Sequence, residues 1–408
     1  MVRQAQAEAA TLKQEAVTAA RQLAEAYPDD ALTYALLGSA SYNTGRSDDA
    51  TKYLQKCLEL SPDQAEAYEI LARVAYEKGN LEESARLCRE ALKRGPANSE
   101  VLNQLGRALM DLGRADEAVK ALQQAIGLPN ASSQSYYLLG QANLQSGNYS
   151  QGKENFQRAI ALLPDHTQAF FGLYTACMRL GQSEEAARYR GEFLKLESID
   201  RRSLTDRNAQ EDTLTGLPMV RNTVAQTFFG AAQLYSVHQQ PSKAAELFRK
   251  AASLDAESTV YRATLEAHYV QRKAPAEGVA VFEQLVSEQP NNQLNYFFLG
   301  RLRARLDQID AAEVAYRKVQ ELAPQWAGGY GALAELYLRA NRNSVEALAL
   351  ARRAVQLEPN GRNYYLLALA CLKNNDRPGA SEAIKQAVKL VPQEKRYSEL
   401  LQQLNQAP

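Results

Sequence analysis

Apolar residues recur along this chain at helical spacing, and the whole pattern repeats about every 34 residues. The most complete unit runs from Ser133 to His166, with the sequence SQSYYLLGQANLQSGNYSQGKENFQRAIALLPDH. Each half of it predicts an amphipathic helix; Gly147 ends the first helix, and the second ends before Pro164. Neither helix can bury its apolar face alone, so each unit must stack on copies of itself. The pattern therefore predicts an all-α solenoid that works by binding.

Small residues keep the same register in the neighbouring units. With Ser133 counted as the first position, the eighth position is small in successive units, at Gly38, Ala72, Gly106 and Gly140. Most units close with a proline, at Pro62, Pro96, Pro164, Pro290, Pro324, Pro359 and Pro392. In this order of aromatic, leucine, small, tyrosine, alanine and proline positions, the units resemble tetratricopeptide repeats. The resemblance covers most of the sequence. It implies an α-solenoid, a right-handed superhelix of stacked antiparallel helix pairs whose first helices line the concave face.

The register also divides the sequence into segments. Residues 31–200 and 225–394 are each expected to form an array of about five repeats, with an insertion or linker at 201–224 and a capping helix at 395–408. Residues 1–30 lack the glycine and are expected to form capping helices, one longer helix or a truncated repeat. A turn signal at Gly216 and Pro218 supports the break. The inserted segment either links the arrays, extends a helix or folds back on the groove.

Charge and composition narrow the class of function. The sequence has 47 Lys and Arg residues and 47 Asp and Glu residues, so its net charge is near zero. Because no net positive charge attracts nucleic acid, we do not expect nucleic acid as a partner. A transmembrane helix needs a run of about 18 apolar residues, and the sequence has no such run. The N-terminus also lacks the apolar stretch of a signal peptide. We therefore expect a soluble protein. It would be cytoplasmic if its N-terminus is native, and periplasmic or secreted if a signal peptide has been removed.

The residues that usually carry catalysis or bind metals are scattered. The four cysteines are Cys57, Cys88, Cys177 and Cys371, and the three histidines are His166, His238 and His268. They show no zinc or redox spacing and no nucleophile–base arrangement. The sequence also lacks a dinucleotide-binding GxGxxG, a P-loop and an HExxH motif. We predict no enzymatic activity, no cofactor and no metal site, and we expect the cysteines to be small buried hydrophobic residues.

One face of each first helix is free to bind. Residues at the second, fifth, ninth and twelfth positions share that face, whereas another set meets the second helix. Aromatic and methionine side chains recur there, and they suit an extended or helical peptide. Alternatively, the same side chains pack between neighbouring first helices. The candidate groove residues are Tyr76, Asn103, Arg107, Met110, Tyr137, Leu144, Phe171, Met178, Phe229, Phe297, Arg301, Arg305, Arg339 and Tyr365.

Charged residues on this face refine the expected ligand. Tetratricopeptide clamps for a C-terminal carboxylate use Lys, Arg and Asn, and only Asn103 with Arg73 and Arg107 resembles such a set, so a clamp of that kind is not expected. The sign of the charge changes along the face: Glu66, Glu69, Glu77, Glu100 and Asp111 come first, and Arg301, Arg305, Arg339, Arg362 and Lys373 come later. A bound segment is then expected to be apolar in its middle and oppositely charged at its ends.

The predicted function is a non-catalytic protein–protein interaction scaffold that binds a peptide or protein segment in the concave groove. Two alternatives remain open. One is a structural or oligomerisation element, in which the protein associates with itself. The other is a regulatory subunit of a larger secretion, polysaccharide-export or respiratory assembly. The residues do not identify the partner.

Overall fold

The predicted units fold as pairs of helices joined by tight turns, which confirms the all-α solenoid. The computed structural model describes the backbone of residues 2–210 and 212–406 and the side chains of residues 4–199 and 216–406. In this part of the protein, all regular secondary structure is helical. Inside each compact unit, the two helices of a repeat pack on each other and each repeat packs on the next one, because one helix pair leaves an apolar face uncovered.

The protein forms two compact units, Met1–Gln240 and Pro241–Pro408. The first contains α1 (Val2–Ala26), α2 (Ala31–Asn43), α3 (Ser47–Leu60), α4 (Ala65–Glu77), α5 (Leu81–Arg94), α6 (Ser99–Asp111), α7 (Ala115–Gly127), α8 (Ser133–Gln145), α9 (Tyr149–Leu162), α10 (Thr167–Arg179), α11 (Ser183–Gln210) and α12 (Asp212–Val237). The second contains α13 (Pro241–Leu254), α14 (Thr259–Gln271), α15 (Pro275–Glu288), α16 (Gln293–Arg305), α17 (Ile309–Leu322), α18 (Ala327–Ala340), α19 (Ser344–Leu357), α20 (Gly361–Lys373), α21 (Arg377–Leu390) and α22 (Lys395–Gln406). We call α2, α4, α6, α8, α10, α14, α16, α18 and α20 the first helices of their repeats.

The turn inside each repeat places its fifteenth residue in the left-handed backbone region. In the first unit this residue is glycine in five repeats, Gly45, Gly79, Gly113, Gly147 and Gly181, with φ between 72° and 79°. The corresponding turns later in the sequence have Gln239, Lys273, Asp307, Asn341 and Asn375 there, with φ between 52° and 59°. A side chain in this region is strained, and asparagine tolerates it better than lysine or glutamine. The turn geometry is therefore kept even where the sequence no longer favours it.

Close packing between helices explains the small residues of the pattern. The ring of Phe156, on α9, lies against both Gly140 on α8 and Gly172 on α10. A Cβ atom at Gly140 would lie 2.6 Å from that ring, and one at Gly172 would lie 2.5 Å from it. Neither position has room for a methyl group, so these glycines fix how closely three successive helices approach.

Helix α12 packs on the first two helices of the protein. It contacts both α1 and α2, and Arg221 forms an ion pair with Glu8. At the other end of the contact, His238 Nε2 lies 2.7 Å from Asp30 Oδ2 and its ring stacks on Tyr27 with centroids 3.6 Å apart. Because residue 221 meets residue 8 and residue 238 meets residues 27 and 30, α12 runs parallel to α1. Helix α12 therefore covers part of the surface of α1 and α2.

These contacts bear on the expected segments. Residues 2–26 form a single helix, α1, which was one of the alternatives for the N-terminus. The turn expected at Gly216 and Pro218 does not form, because both residues lie within α12. A proline inside a helix removes one hydrogen bond and usually kinks or breaks the helix. Here α12 continues past Pro218, and beyond that residue Arg221 pairs with Glu8 of α1. The side chains of residues 200–215, in the predicted insertion, lie outside the described residues. The array boundaries at residues 200 and 225 remain a prediction.

Arg262 replaces the aromatic residue of its repeat and is fully buried, with 0% exposure. All of its donor groups have acceptors. Nε donates to Asn295 Oδ1 at 2.7 Å, Nη1 to the carbonyls of Asp255 and Ser258, and Nη2 to the carbonyl of Ala252 and to Gln289 Oε1. Burial lowers the pKa of the guanidinium to about 10, so it remains charged at neutral pH. It holds the ends of α13 and α15 to α14 and α16.

We expect Arg262→Met to lower the free energy of unfolding by about 3 kcal/mol, because the buried acceptors lose their donor. Arg249→Met is the matched control. Arg249 forms a partly exposed ion pair with Glu288, and its loss should cost less than about 1 kcal/mol. Urea titration of the full-length protein followed by far-UV circular dichroism measures both. Equal midpoints for the two variants would contradict the structural role of Arg262.

A second prediction concerns the turns. Lys273→Gly should stabilise the protein by up to about 1 kcal/mol, because Lys273 has φ of 57° and glycine relieves that strain. The converse change, Gly147→Ala, should destabilise it by about 1 kcal/mol, since Gly147 has φ of 78°. Thermal unfolding midpoints of both variants test this. A lower midpoint for Lys273→Gly would show that the lysine stabilises the turn by other means.

A third prediction concerns α12. A fragment of residues 1–240 should protect the amides of α1 from hydrogen exchange better than a fragment of residues 1–210, because only the longer fragment contains the helix that packs on α1. Exchange in α6 and α8, which α12 does not reach, serves as the internal control. Equal protection of α1 in the two fragments would show that the array ends where the sequence pattern breaks.

Candidate functional site

First helices of neighbouring repeats lie side by side within each unit, and hollows open between them. In the first unit, α6 contacts α8 and α8 contacts α10; in the second, α16 contacts α18 and α18 contacts α20. Their apolar residues toward the second helix form the core, so the remaining face carries the candidate residues. Three hollows lie on these faces, one in the first unit and two in the second.

The hollow of the first unit lies between α6, α8 and α10 and has a volume of about 460 Å³. Two of the candidate groove residues, Met110 and Leu144, line it. Its remaining lining is mostly polar and includes Asp111, Gln141 and Arg179. The side-chain amide of Gln145, which also lines it, donates to the carbonyl of Met110 at 3.0 Å. This hollow offers an apolar patch inside a polar rim.

Tyrosines near the ends of first helices hydrogen-bond to acids on the next first helix. The Tyr42 hydroxyl donates to Glu77 Oε1 and the Tyr76 hydroxyl donates to Asp111 Oδ2, each at 2.6 Å. Burial and the bond to Glu77 raise the pKa of Tyr42 to about 12. The bond to Asp111 and burial also raise the pKa of Tyr76. Tyr76 and these two acids therefore already have partners inside the unit, as expected if they hold neighbouring repeats together.

The possible clamp residues of the first unit are only partly exposed. Asn103 Nδ2 donates to Ser135 Oγ at 3.0 Å, and its Oδ1 is buried without a hydrogen-bond partner among the described residues. Arg73 pairs with Glu69 of its own helix at 2.5 Å. Arg107 is half-buried. One of the two arginines is therefore already neutralised.

Other candidate residues of the first unit differ widely in exposure. Tyr137 is buried, and its hydroxyl accepts from Gln141 Nε2 at 2.7 Å, so it packs between helices. Phe171 is 50% exposed and Met178 is 53% exposed, both on α10. Phe229, on α12, is half-buried and therefore less exposed than Phe171 and Met178. Sequence position alone did not distinguish these cases.

The second unit contains a pocket rich in arginine, which we call the basic pocket. It has a volume of about 300 Å³ and is lined by Phe297, Arg301, Ala304, Arg305, Tyr316, Ala332, Glu335, Leu336, Arg339 and Arg362. The guanidinium of Arg301 lies 5.5 Å from the ring centroid of Phe298, within range of a cation–π contact. Three first helices, α16, α18 and α20, supply all four arginines.

Two carboxylates balance part of this charge. Glu266, on α14, has a side chain only 4% exposed, with Oε2 3.2 Å from Arg301 Nη2 and Oε1 3.7 Å from Arg305 Nε. Burial raises the pKa of Glu266, while the two arginines oppose that rise. Glu335 accepts from Arg362 Nη2 at 2.8 Å. Arg339 is exposed, and it has no ion-pair partner in the described part of the protein.

A second hollow of this unit lies between α18 and α20, and we call it the apolar hollow. Its volume is about 520 Å³, and its lining consists of Glu335, Leu338, Arg339, Tyr365, Leu366, Leu369, Leu372 and Lys373. It shares Glu335 and Arg339 with the basic pocket. The Tyr365 ring stacks on Tyr397 of α22 with centroids 5.0 Å apart. An apolar surface and a basic one therefore adjoin on successive first helices.

Three family profiles, each described as tetratricopeptide repeat, match the sequence. The first matches residues 7–65, 35–99 and 137–189, the second residues 75–142 and the third residues 295–325. Together they span more than half of the sequence. The chain belongs to the tetratricopeptide repeat family. Proteins of this family bind protein or peptide partners, so this one is a protein-interaction scaffold in this general sense.

Solved structures of other tetratricopeptide repeat proteins resemble it. YrrB, described as having an unusual peptide-binding site, matches with a TM-score of 0.42 and 20% identity, over 46% of this protein and 97% of its own length. Yeast Tom70 matches with a TM-score of 0.40 and 16% identity, over 92% of this protein and 95% of its own length. MamA of Desulfovibrio magneticus RS-1 matches with a TM-score of 0.39 and 20% identity, over 41% of this protein and 96% of its own length. This likeness carries no information about function. No curated protein matches the sequence.

Sequence reasoning found part of the basic pocket. It placed Arg301, Arg305 and Arg339 on one face, and the structure brings them together. It missed Glu266, which stands at the eighth position of its tetratricopeptide repeat, where most other repeats have glycine or alanine. That departure from the pattern was a readable signal. It also missed Tyr316, a core position of α17 whose ring reaches the pocket without any sign in the sequence.

No cluster of His, Cys, Asp and Glu among the described residues could hold a metal ion. The four cysteines of this tetratricopeptide repeat protein are buried and unpaired. Burial raises the pKa of the Cys57 and Cys371 thiols to about 11, so these thiols stay protonated at neutral pH. Over the residues that the structure describes, every helix is too short or too polar to cross a bilayer.

Proposed function

We propose that this protein is a non-catalytic scaffold that binds a segment of a partner protein along the first helices, and that the main site of the second unit lies on α16, α18 and α20. One observation supports this most strongly. The basic pocket and the apolar hollow adjoin on these three helices and share Glu335 and Arg339. Two adjoining hollows of opposite character can recognise two kinds of side chain in one ligand.

The dimensions suit a short peptide. Packed helices lie about 10 Å apart, so crossing from α16 to α20 covers about 20 Å. An extended segment advances about 3.4 Å per residue, and roughly six residues would span both hollows. Leu338, Leu369 and Leu372 supply apolar surface where one or two anchor side chains could be buried.

The hollow of the first unit is a second candidate for the same function. Met110 and Leu144 offer an adaptable apolar patch beside Asp111 and Arg179. It is more polar than the apolar hollow, so we expect it to bind more weakly or to add contacts to a larger protein surface.

Oligomerisation remains the alternative with an observation of its own. Four large apolar side chains are about half exposed at the end of the first array, namely Phe171 and Met178 on α10 and Leu194 and Ile199 on α11. Apolar side chains that are exposed together can form a protein interface. Membership in a larger secretion, polysaccharide-export or respiratory assembly would use the same surfaces.

The test captures partners from the native organism on the full-length protein, shortens a captured partner to its binding segment, and compares dissociation constants. Leu338→Glu combined with Leu372→Glu places two charges in the apolar hollow and should weaken binding at least about tenfold. Leu390→Glu is the matched control, since Leu390 is a half-exposed leucine on the second helix α21. Unchanged binding by the double variant would move the site away from α18 and α20.

A further inference from the structure

One end of the first array is left uncovered. Inside this array each first helix packs on the repeat before it: α8 lies against α6 and α7, and α10 lies against α8 and α9. The next first helix in sequence, α12, packs mainly on α1 and α2 instead. In the described part of the protein, the surface formed by α10 and by residues 183–199 of α11 therefore lacks a helix that covers it as α10 covers α8 and α9. We call this surface the end face.

Side chains that mediate stacking in earlier repeats are exposed on the end face. Phe171 is 50% exposed, whereas Tyr137, at the same position of the preceding repeat, is 9% exposed. Met178 is 53% exposed, whereas Met110, at the same position two repeats earlier, is half-buried and packs against the core. Because the residue types are alike, the exposure results from the missing neighbour.

The second helix of the end face shows the same contrast. Leu194, on α11, is 49% exposed. At its position the four earlier repeats have apolar residues that are partly buried against the core, Leu58, Leu92, Ile126 and Ile160. The ring of Phe193 lies 5.3 Å from that of Phe171, measured between centroids, and so connects α11 with α10. The exposed side chains of the two helices therefore form one apolar surface.

Gly191 leaves room for another helix beside Leu194. It lies inside α11, and a Cβ atom there would meet no atom outside its own stretch of helix within 4 Å. The four earlier repeats have long polar residues at this position, Gln55, Arg89, Gln123 and Gln157. Glycine weakens a helix interior, and its use is to let another backbone approach closely. No packing among the described residues requires it at position 191.

We propose that the end face is the interface of a two-fold symmetric dimer, in which α11 of one copy of this protein crosses α11 of a second copy at Gly191. The proposal does not depend on the peptide site of α16, α18 and α20. It names the partner and the symmetry for the oligomerisation alternative.

The covered start of the array favours a second copy bound through the same face. Helix α12 packs on α1 and α2, so the end face of one copy finds no open start on another, and head-to-tail filaments are blocked. The end face is then left to pair with its own counterpart. Such self-complementary contacts form the two-fold dimers that are the commonest soluble oligomers.

Charge does not oppose this pairing. Residues 179–199 contain four basic and four acidic residues. Beside Leu194, the side chains of Lys195 and Glu192 pair with each other at 3.6 Å. Two copies of the end face therefore meet without net repulsion, which a strongly acidic or basic face would not allow.

The exposed apolar area is that of a stable interface. The four half-exposed side chains of the end face are Phe171, Met178, Leu194 and Ile199. Half of a large apolar side chain is on the order of 100 Å², so together they offer roughly 400 Å² per copy. Standard interfaces bury roughly 800 Å² per partner, of which somewhat more than half is apolar. The end face supplies nearly all of that apolar share.

Sedimentation equilibrium of the full-length protein measures the self-association. We expect a monomer–dimer equilibrium with a dissociation constant of about 10 µM or lower. A protein that stays monomeric well above that concentration would overturn the proposal, and growth into larger assemblies would overturn its two-fold closure. Both results leave the proposed peptide site standing, since that site is tested by Leu338→Glu with Leu372→Glu on other helices.

A charged pair of substitutions tests the location of the interface. Phe171→Glu combined with Leu194→Glu should weaken dimerisation at least about a hundredfold, because two charges would be buried in the contact. Val314→Glu combined with Leu390→Glu is the matched control, since both residues are exposed apolar residues on second helices of the second unit. The control should leave the dissociation constant unchanged. Equal dimerisation of the first variant and the wild type would overturn this interface, and so would equal weakening by the two variants.

Gly191→Gln tests the crossing point without adding a charge, and it restores the residue that three earlier repeats have. At concentrations where the protein is monomeric, the thermal unfolding midpoint should rise, because glycine weakens a helix interior. Dimerisation should weaken at least about tenfold, because the new side chain holds the two α11 helices apart. A merely structural glycine would affect stability alone. Unchanged dimerisation of this variant would therefore overturn the crossing at Gly191.

Discussion

The structure depends on one packing constraint: a pair of short helices cannot bury its apolar face without a neighbouring pair. Phe156 shows how the protein meets it, because its ring fills the space between Gly140 on one first helix and Gly172 on the next. Each repeat therefore fixes the distance to the following one. The first helices are aligned by this contact, and the hollows between their remaining faces follow from it. The candidate site is a consequence of how the repeats stack.

The repeat that departs most from the pattern lies beside the most distinctive site. In α14, Arg262 replaces an aromatic residue and Glu266 replaces a small one, and both are buried charges. Arg262 is satisfied by carbonyl and amide oxygens and holds four helices together. Glu266 forms ion pairs with two arginines of the next repeat. One buried charge thus maintains the fold where the usual packing is missing, while the other arranges charge at a surface pocket.

The first helices serve two purposes that compete for the same positions. Tyr76 and Tyr137 fill the space between helices and have partners within the unit. Phe171 and Met178 remain half exposed at equivalent positions. The difference arises because a side chain is free to bind only where its neighbour leaves a gap. On α16, α18 and α20, such gaps are lined mainly by arginine and leucine.

The sequence by itself determined the helix pairs, their register, the tight turns and the solenoid, because these depend on the spacing of small and apolar residues within about 34 positions. It also placed Arg301, Arg305 and Arg339 on one face. Only the tertiary structure decided that α12 packs on α1 and that Glu266 lies behind the basic pocket. The first joins residues more than 200 positions apart, such as Glu8 and Arg221, and the second pairs charges from different repeats. No local periodicity specifies such contacts, since they arise from the faces that stacking leaves uncovered.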